Sequence, residues 1–427
     1  MAKLKNPRET VFWSTFSAWV LSILSICKMS AAQDYCEISV SEIDPLNHWL
    51  ISEGRLLGDE VEIVKGYCEG LVQLGVPLAR ARIAQTYSNP LLSAWGVIWT
   101  PHKVHRYTVG TTILSTDAWH GSPFEYVVTQ RRPLRKRLVN LDFEAEHPVY
   151  AELAAEGATD FLAIPLEHGN GSVQGTSFTT NAASGFLSEH IRYLEDSRYA
   201  LAAALEPIAM RESQESLLQT YLGHGPAEEI EQGHINRGEH RTVSAAILFA
   251  DLRGFTEKAE TWPETQLLAM MGDYFEMVVS PIQQMGGDVL KFMGDGILAV
   301  FDVEDSAEKS CRLAAEAAEK SMINLRDYNE DGLRNGREPI EFVIGMDFGK
   351  VTFGNIGSPD RLDFTVVGQA VNVASRVQEL CKELAENVLM TASVAQYMGD
   401  EVQSVGFHSV RGLAEDIEVF KTSAKLG

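Results

Sequence analysis

Two aspartates in the second half of the chain have the sequence surroundings of a metal site. Asp251 ends the buried run Ile247-Leu248-Phe249-Ala250, and Asp295 lies within the hairpin signal Gly294-Asp295-Gly296. One is predicted to end a central strand and the other to lie in the turn of a neighbouring hairpin, so their carboxylates should converge. Mg²⁺ binds through a few carboxylates plus phosphate oxygens, and two such ions promote in-line phosphoryl displacement. Taken singly, a capping aspartate and a turn aspartate are the commoner interpretation.

The residues after Asp251 favour the metal-site interpretation. The run Phe249-Ala250-Asp251-Leu252-Arg253-Gly254-Phe255-Thr256 places an acid at a strand end, before a glycine-containing turn that enters a helix. Exposed backbone N–H groups at a helix entrance attract anions. Gly254, Phe255 and Thr256 are therefore predicted to cradle a polyphosphate.

Three segments in order carry a specific resemblance. They are 249–256, 287–296 (Gly-Asp-Val-Leu-Lys-Phe-Met-Gly-Asp-Gly) and 364–376 (Phe-Thr-Val-Val-Gly-Gln-Ala-Val-Asn-Val-Ala-Ser-Arg). With them the sequence resembles the class III adenylyl and guanylyl cyclase family over about residues 242–422. The resemblance implies two Mg²⁺ (or Mn²⁺) ions per site, held by Asp251, Asp295 and the main chain at Leu252.

The same resemblance assigns the substrate contacts. Lys291 and Thr365 would read the base, and this pair favours ATP because guanylyl members usually carry Glu and Cys there. A threonine at this place resembles a subgroup often reported as bicarbonate-responsive. Asn372 would orient the ribose and Arg376 would stabilise charge on the α-phosphate. Arg411 stands where the family commonly has a phosphate-binding lysine, and it keeps the charge but not the geometry.

An adenylate cyclase is therefore expected, in which the ribose 3′-OH attacks the α-phosphorus of ATP and pyrophosphate leaves. In this family the metal residues of one subunit face the base-reading and transition-state residues of the other. This chain carries both sets, which predicts a symmetric homodimer. A non-catalytic relative should lack at least one of these residues, and none is missing. A diguanylate cyclase is rejected because Gly286-Gly287-Asp288 continues as Val289-Leu290. Guanylyl activity is the remaining substrate alternative.

The predicted elements would place these residues on one α+β domain. Pro263 opens an amphipathic helix that Gly286-Gly287 ends, and Val289–Met293 and Ile297–Phe301 form a hairpin. A capping box of Asp305 and Glu308 starts a second helix, and Ile340–Phe348 follows as a strand. This order predicts a ferredoxin-like βαββαβ domain.

The first half of the chain predicts a second α+β domain, which resembles GAF-type sensor domains in architecture alone. A helix spans the run from Val61 to Leu74, and a long helix spans Glu189–Leu222 until Gly223-His224-Gly225-Pro226 breaks it. A polar connector follows to Arg241. The predicted strands are Ala79–Tyr87, Trp95–Thr100, Phe161–Pro165 and Val173–Thr179.

Two side-chain groups in that half have open roles. The aromatic residues are interpreted as core packing in preference to a ligand pocket: Trp95, Trp99, Trp119 and Phe124. The basic cluster is interpreted as a solvated face in preference to an anion site: Arg131, Arg132, Arg135, Lys136 and Arg137. The signal for this domain, a small molecule or a protein, is open.

Length and composition fit this plan. The 427 residues divide into an N-terminal extension (1–42), a GAF-like sensor domain (43–188), a signalling helix with linker (189–241) and the cyclase domain (242–427). A net charge of −23 argues against a nucleic-acid surface. Five cysteines without a CxxC pair argue against structural zinc and disulfides, which fits the cytoplasm.

The N-terminal extension has three interpretations. An uncharged run from Val11 to Cys27 follows Lys3, Lys5 and Arg8, as in a secretory signal. Export would separate the site from ATP, so that interpretation ranks lowest. The run is shorter than the ~20 apolar residues of a spanning helix. A weak membrane anchor and a translation start at Met29 remain as equal alternatives.

Overall fold

A computed structural model describes residues 41–86, 88–89, 92–303, 305–411, 413 and 415–422. The predictions for Val11–Cys27 and Met29 lie outside these residues. Among the described residues, every helix is too short or too polar to cross a bilayer.

The first half of the described chain forms a six-stranded antiparallel sheet in the order β3-β2-β1-β6-β5-β4. Its strands are β1 (Arg80–Thr86), β2 (Leu92–Thr100), β3 (Lys103–Gly110), β4 (Leu134–Arg137), β5 (Asp160–Glu167) and β6 (Val173–Thr180). Its helices are α1 (Asp44–Ile51), α2 (Glu60–Gln73), α3 (Pro123–Gln130), α4 (Pro148–Ala155) and α5 (Ser188–Leu222). The four predicted strands and the long helix are confirmed to within a few residues.

Each face of this sheet is covered by different helices. Helices α1, α2 and α5 bury the larger core, which includes Tyr67, Trp95 and Trp99. The core interpretation of these two tryptophans is therefore confirmed. Helices α3 and α4 cover the opposite face with a smaller core around Tyr150 and Phe161.

The solvated-face interpretation of the basic cluster is confirmed for its four arginines, which are all exposed, but most of its cations also have partners within the domain. Arg135 and Arg137 bind the fully buried carboxylate of Asp160, at 2.7 and 3.4 Å. Lys136 pairs with Glu146, and the Arg131 guanidinium donates a hydrogen bond to a main-chain carbonyl. The physical reason is that a buried carboxylate needs cationic partners, and the sequence does not reveal that Asp160 is buried.

The connector after α5 also differs from its prediction. Helix α5 ends at Leu222 as expected, but helix α6 (His224–Glu231) begins directly after Gly223. Pro226 lies in the first turn of α6, where backbone N–H groups lack helical partners and proline is tolerated.

The second half forms an eight-stranded sheet in the order β13-β14-β12-β10-β7-β9-β8, with β11 paired to β10. Its strands are β7 (His240–Leu252), β8 (Asp288–Met293), β9 (Gly296–Asp302), β10 (Phe342–Ser358), β11 (Arg361–Val367), β12 (Val388–Thr391), β13 (Val402–His408) and β14 (Ile417–Thr422). Its helices are α7 (Phe255–Thr261), α8 (Glu264–Gln284), α9 (Ala307–Arg334), α10 (Gln369–Glu383) and α11 (Ala392–Ala395).

The predicted ferredoxin-like unit is confirmed as β7-α8-β8-β9-α9-β10. Its four strands lie in the order β10-β7-β9-β8, and every adjacent pair is antiparallel. Helices α8 and α9 bury their apolar faces on one side of this sheet, and α10 packs on the other.

Two details of this unit correct the prediction. Helix α9 is capped by Ser306, whose hydroxyl accepts a hydrogen bond from the Lys309 N–H at 3.1 Å. Asp305 instead pairs with the Lys309 side chain. Strand β10 starts at Phe342 and continues to Ser358, because its second half pairs with both β7 and β11.

Candidate active site

The two predicted metal-binding aspartates are brought together at one end of the C-terminal sheet. Asp251 is the penultimate residue of β7, opposite Val343 of β10. Asp295 lies in the β8–β9 turn, where Gly294 has the left-handed φ of 68° that a tight turn needs. A Cβ atom at Gly296 would lie only 3.8 Å from Asp251 Oδ1, so this turn passes directly beside the Asp251 carboxylate.

The closeness of the two carboxylates alters the acidity of Asp295. Burial raises the pKa of Asp295 to about 6, and the negative charge of Asp251 and a side-chain hydrogen bond with it act in the same direction. Two carboxylates that share a site cannot both ionise without cost. A divalent cation bound between them would remove this repulsion.

A tyrosine lies beneath the pair. Tyr274 of α8 is fully buried, and its hydroxyl has no hydrogen-bond partner among the described residues. Burial raises the pKa of Tyr274, and the charges of Asp251 and Asp295 raise it further. In the sequence, Tyr274 lies on the apolar face of the amphipathic helix that Pro263 opens. The spacing of apolar residues does not show whether such a tyrosine lies near the carboxylates or simply packs in the core.

Two further residues contact Asp251, and sequence analysis missed both. The Lys382 ammonium pairs with Asp251 Oδ2, and the Gln378 amide donates to the same oxygen at 3.4 Å. Both lie on α10, which approaches β10 closely because Gly345 has no side chain: a Cβ there would lie 2.2 Å from the Gln378 nitrogen. The i,i+4 spacing of these polar residues was the available signal.

The residues at this position fit a pair of magnesium ions better than a closed metal cage. Among the described residues there is no cluster of three or more side chains of the types His, Cys, Asp and Glu that could hold a metal. Asp251 and Asp295 supply two carboxylates, and Leu252, the last residue of β7, offers a main-chain carbonyl. Mg²⁺ commonly takes one or two protein carboxylates and completes its shell with water and substrate phosphates.

The loop after β7 is fixed to the rest of the site by Arg253. Its guanidinium donates to the main-chain carbonyls of Cys381 and Glu386, at 3.0 and 2.8 Å, where α10 ends. Gly254 follows with a left-handed φ of 70° and precedes α7, which begins at Phe255. Gly254 and Thr256 are exposed, so the predicted polyphosphate cradle is open to solvent.

The predicted base-reading residues lie on two strands that touch. Lys291 belongs to β8 and Thr365 to β11, and these strands contact each other. The Lys291 ammonium pairs with Asp363 of β11. Asp363 and Thr365 are two residues apart, so their side chains project from the same side of the strand. Asp363 is a third member of this group that the sequence analysis did not single out.

The predicted transition-state residues lie on the outer face of α10. Asn372 is exposed, and the Arg376 Nη1 atom bonds both carboxylate oxygens of Glu379 at 2.9 and 3.0 Å. Gln378 and Lys382, which contact Asp251, project from a different face of the same helix. One subunit therefore turns Asn372 and Arg376 away from its own carboxylate pair.

Arg411 lies apart from these groups, between β13 and β14. It is exposed and has no ion pair within the described part of the chain.

Residues 238–422 match the sequence profile of the adenylate and guanylate cyclase catalytic domain. The C-terminal domain is therefore a cyclase catalytic domain. The match begins at the linker before β7 and ends with β14, so it contains every predicted site residue.

Two adenylate cyclases each match less than half of this chain. The similarity to an adenylate cyclase of Anabaena cylindrica is 33% identity over 167 residues, which is 38% of this chain and 32% of that protein. Adenylate cyclase 1 of Rhizobium meliloti (strain 1021) is 26% identical over 198 residues, which is 45% of this chain and 29% of that protein. The matched region thus spans about a third of the length of these relatives.

Two solved structures cover a similar share of the chain. A bacterial light-regulated adenylyl cyclase is 27% identical with a TM-score of 0.43, covering 51% of this chain and 64% of that one. The adenylyl cyclase CyaB from P. aeruginosa is 23% identical with a TM-score of 0.40, and the match covers 44% of this chain and 96% of that one.

Proposed function

We propose that the protein is an adenylate cyclase that converts ATP to 3′,5′-cyclic AMP and pyrophosphate. The observation that carries the proposal is the convergence of Asp251 and Asp295 at the end of the cyclase sheet, where burial and the charge of Asp251 raise the pKa of Asp295. Such a pair is suited to bind cations together with a polyphosphate. The relatives whose names include adenylate cyclase support the same reaction class.

Asp251, Asp295 and the Leu252 carbonyl would hold two Mg²⁺ (or Mn²⁺) ions. When bound, these ions would supply Lewis acidity to the ribose 3′-OH and to the phosphate oxygens. The amides at Gly254 and Phe255 would bind the polyphosphate from the entrance of α7. The chain itself needs no covalent intermediate, because the 3′-oxygen displaces pyrophosphate from the α-phosphorus in line.

Adenine would be read at the contact between β8 and β11. The Lys291 ammonium would donate to a ring nitrogen of adenine, and the Thr365 hydroxyl would accept from the exocyclic amine. Asp363 holds Lys291 beside Thr365, which limits the orientations of a flexible lysine. Guanine carries an N–H group at the ring position where adenine has an acceptor nitrogen, so the Lys291 ammonium would meet a second donor and GTP is disfavoured.

Two subunits would complete each site. Asn372 would orient the ribose, Arg376 would neutralise charge on the α-phosphate, and Arg411 would contact the outer phosphates. Because α10 turns Asn372 and Arg376 away from the carboxylates of its own subunit, they are placed to reach those of a partner. A symmetric homodimer then has two equivalent sites.

The first experiment measures product from the purified full chain with ATP or GTP, each with Mg²⁺ or Mn²⁺. Cyclic AMP from ATP alone is expected, and Asp295→Ala should abolish it. Asp305→Ala is the matched control, since Asp305 is an exposed acid of the same domain that pairs with Lys309 at the surface. Cyclic GMP as the main product would refute the assignment of Lys291 and Thr365. A folded protein with no product under any condition would count against the catalytic proposal.

A mixing experiment tests the shared site. Asp295→Ala and Arg376→Ala are each expected to be inactive as homodimers. After subunit exchange, half of the dimers are mixed, and each mixed dimer has one intact site. The mixture should therefore recover about a quarter of the wild-type activity. Absence of any recovery, with subunit exchange shown by mass spectrometry, would refute a site built from two subunits.

The N-terminal domain would regulate the reaction as a GAF-like sensor. Its helix–strand–strand start, its later strand pair β5–β6 and the exit helix α5 support this proposal. Helix α5 contacts β5 at one end and α6 at the other, and α6 contacts β8, which carries Lys291. Deletion of residues up to 188 should change the rate of cyclic AMP formation without changing the preference for ATP.

A further inference from the structure

Two arginines of the N-terminal domain lie side by side without an acidic partner. Arg80 and Arg82 are two residues apart on β1, so both project from the face of the sheet that carries α3 and α4. Neither forms an ion pair with any described residue. Glu152 of α4 and Glu156, which follows α4, attract Arg80 without forming an ion pair with it. In a chain with a net charge of −23, an unpaired arginine couple on a half-buried surface is unexpected.

Aromatic rings hold Arg82 in a fixed orientation. Its guanidinium carbon lies 4.7 Å from the ring centre of Tyr107 and 4.8 Å from that of Phe124. Its Nε donates to the Tyr107 hydroxyl at 2.7 Å. Two glycines make room for these rings: a Cβ at Gly96 would lie 2.6 Å from the Tyr107 oxygen, and one at Gly175 would lie 2.3 Å from Phe124. The Nη groups of Arg82 remain available as donors.

Two largely buried residues with hydroxyl side chains lie opposite the arginines on the neighbouring strand. In the β1–β6 register, Ser177 faces Arg82 and Thr179 faces Arg80. Ser177 is 4% exposed and Thr179 is 3% exposed. Their side-chain oxygens nevertheless make no hydrogen bond within the described residues. Because these hydroxyls make no hydrogen bond to the described chain, they can donate to a group bound beside the arginines.

The four groups share one chemistry. Guanidinium N–H groups and hydroxyls are all hydrogen-bond donors, and arginine pairs with carboxylate and phosphate through parallel N–H bonds. Burial and the nearby positive charge of Arg82 lower the pKa of the Arg80 guanidinium, so a bound anion would relieve repulsion that is present in the chain alone. The rings of Tyr107 and Phe124 would border the anion with apolar surface.

We propose that Arg80, Arg82, Ser177 and Thr179 form a binding site for the oxyanion group, phosphate or carboxylate, of a small molecule. The site is distinct from the basic cluster at 131–137, whose cations other than Arg132 are engaged by Asp160, Glu146 and a main-chain carbonyl. It lies in the N-terminal domain, so it is independent of the proposed catalytic chemistry.

The test is isothermal titration of the full chain with sodium phosphate and, separately, with sodium succinate, at constant ionic strength. Saturable binding of at least one of them is expected. Arg82→Gln should weaken it by about tenfold or more, because hydrogen bonds between charged groups are the strong ones. Arg132→Gln is the matched control, since Arg132 is an exposed arginine of the same domain without an ion pair among the described residues. It should bind like the wild type.

A second variant keeps the test decisive if Arg82→Gln fails to fold. Ser177→Ala combined with Thr179→Val removes two hydroxyls that make no hydrogen bonds in the chain itself, so the fold should persist while the affinity falls severalfold. Binding of phosphate alone identifies a phosphate ester, and binding of succinate alone identifies a carboxylate. Absence of binding to both overturns the proposal. Binding that Arg82→Gln leaves unchanged also overturns it, because the anion would then bind at another site.

Discussion

Replacing Asp295 with asparagine should stabilise the metal-free cyclase domain at neutral pH. Asparagine keeps the shape of the side chain and removes the charge that faces Asp251. The pKa of Asp295 rises from 3.8 to about 6 in the folded chain, so the folded state binds this proton more tightly than the unfolded state does. The stability associated with that proton is complete below the unfolded pKa and is lost as the pH rises through about 6.

The magnitude follows from the size of this shift. Each pKa unit corresponds to about 1.36 kcal/mol, which would give about 3 kcal/mol for a fully buried group. Asp295 is only partly buried, and solvent screening reduces the value to about 1 kcal/mol. The free energy of unfolding of the variant should therefore exceed that of the wild type by ~1 kcal/mol at about pH 7.5, and the two should differ little at about pH 4.

Hydrogen exchange of the β7 and β9 amides, read by mass spectrometry in EDTA, reports the opening of this sheet separately from the N-terminal domain. When Mn²⁺ and a non-cyclisable ATP analogue are both present at saturating concentrations, the wild type should become more stable than the variant. The reason is that only the wild type gains the full binding free energy. Glu257→Gln, a change of an exposed acid in α7, is the control. Two results would refute the reasoning: a less stable Asp295→Asn variant at about pH 7.5, or a difference that does not depend on pH.

Three other changes test the surroundings of the site. Asp363→Asn should release Lys291 and lower kcat/KM for ATP by about tenfold while weakening discrimination against GTP; unchanged kinetics would show that the ion pair is incidental. Tyr274→Phe should leave stability unchanged or raise it by up to ~1 kcal/mol, because the removed hydroxyl is buried without a partner; a loss in denaturant unfolding would contradict this. Gly345→Ala should lower kcat by about a hundredfold, because a methyl group 2.2 Å from the Gln378 nitrogen displaces α10; normal activity would show that the helix has room to move.

The parts of the site that sequence predicted well are local. Asp251 ends a strand and Asp295 lies in the turn of an adjacent hairpin, and the ferredoxin-like order is enough to bring such positions together. The hydrophobic period and the glycine stops predicted α8 to within a residue or two. The match of the C-terminal domain to the cyclase family was also predictable, because three family motifs occur in the expected order.

The parts that sequence missed depend on contacts between distant elements. Lys382 reaches Asp251 only because Gly345 allows α10 to approach β10. The spacing of apolar residues in the sequence does not predict this close contact between helix and strand. Asp160 attracts two arginines only because β5 is buried. Arg80 and Arg82 looked like ordinary polar residues of an alternating strand. In each case burial decides the role of a charged group, and burial is a property of the assembled chain.

Helix α10 has a consequence for the kinetics of a dimer. Through Gln378 and Lys382 it touches the acid of its own subunit, while Asn372 and Arg376 lie on a different face of the helix. If each site contains residues of both subunits, the same helix α10 contributes residues to two active sites. Any displacement of that helix when one nucleotide binds is felt at the other active site, and this is the structural basis of coupling between sites. The two turnovers of a dimer should then not be independent events, and initial rates should deviate from a simple hyperbola in ATP concentration.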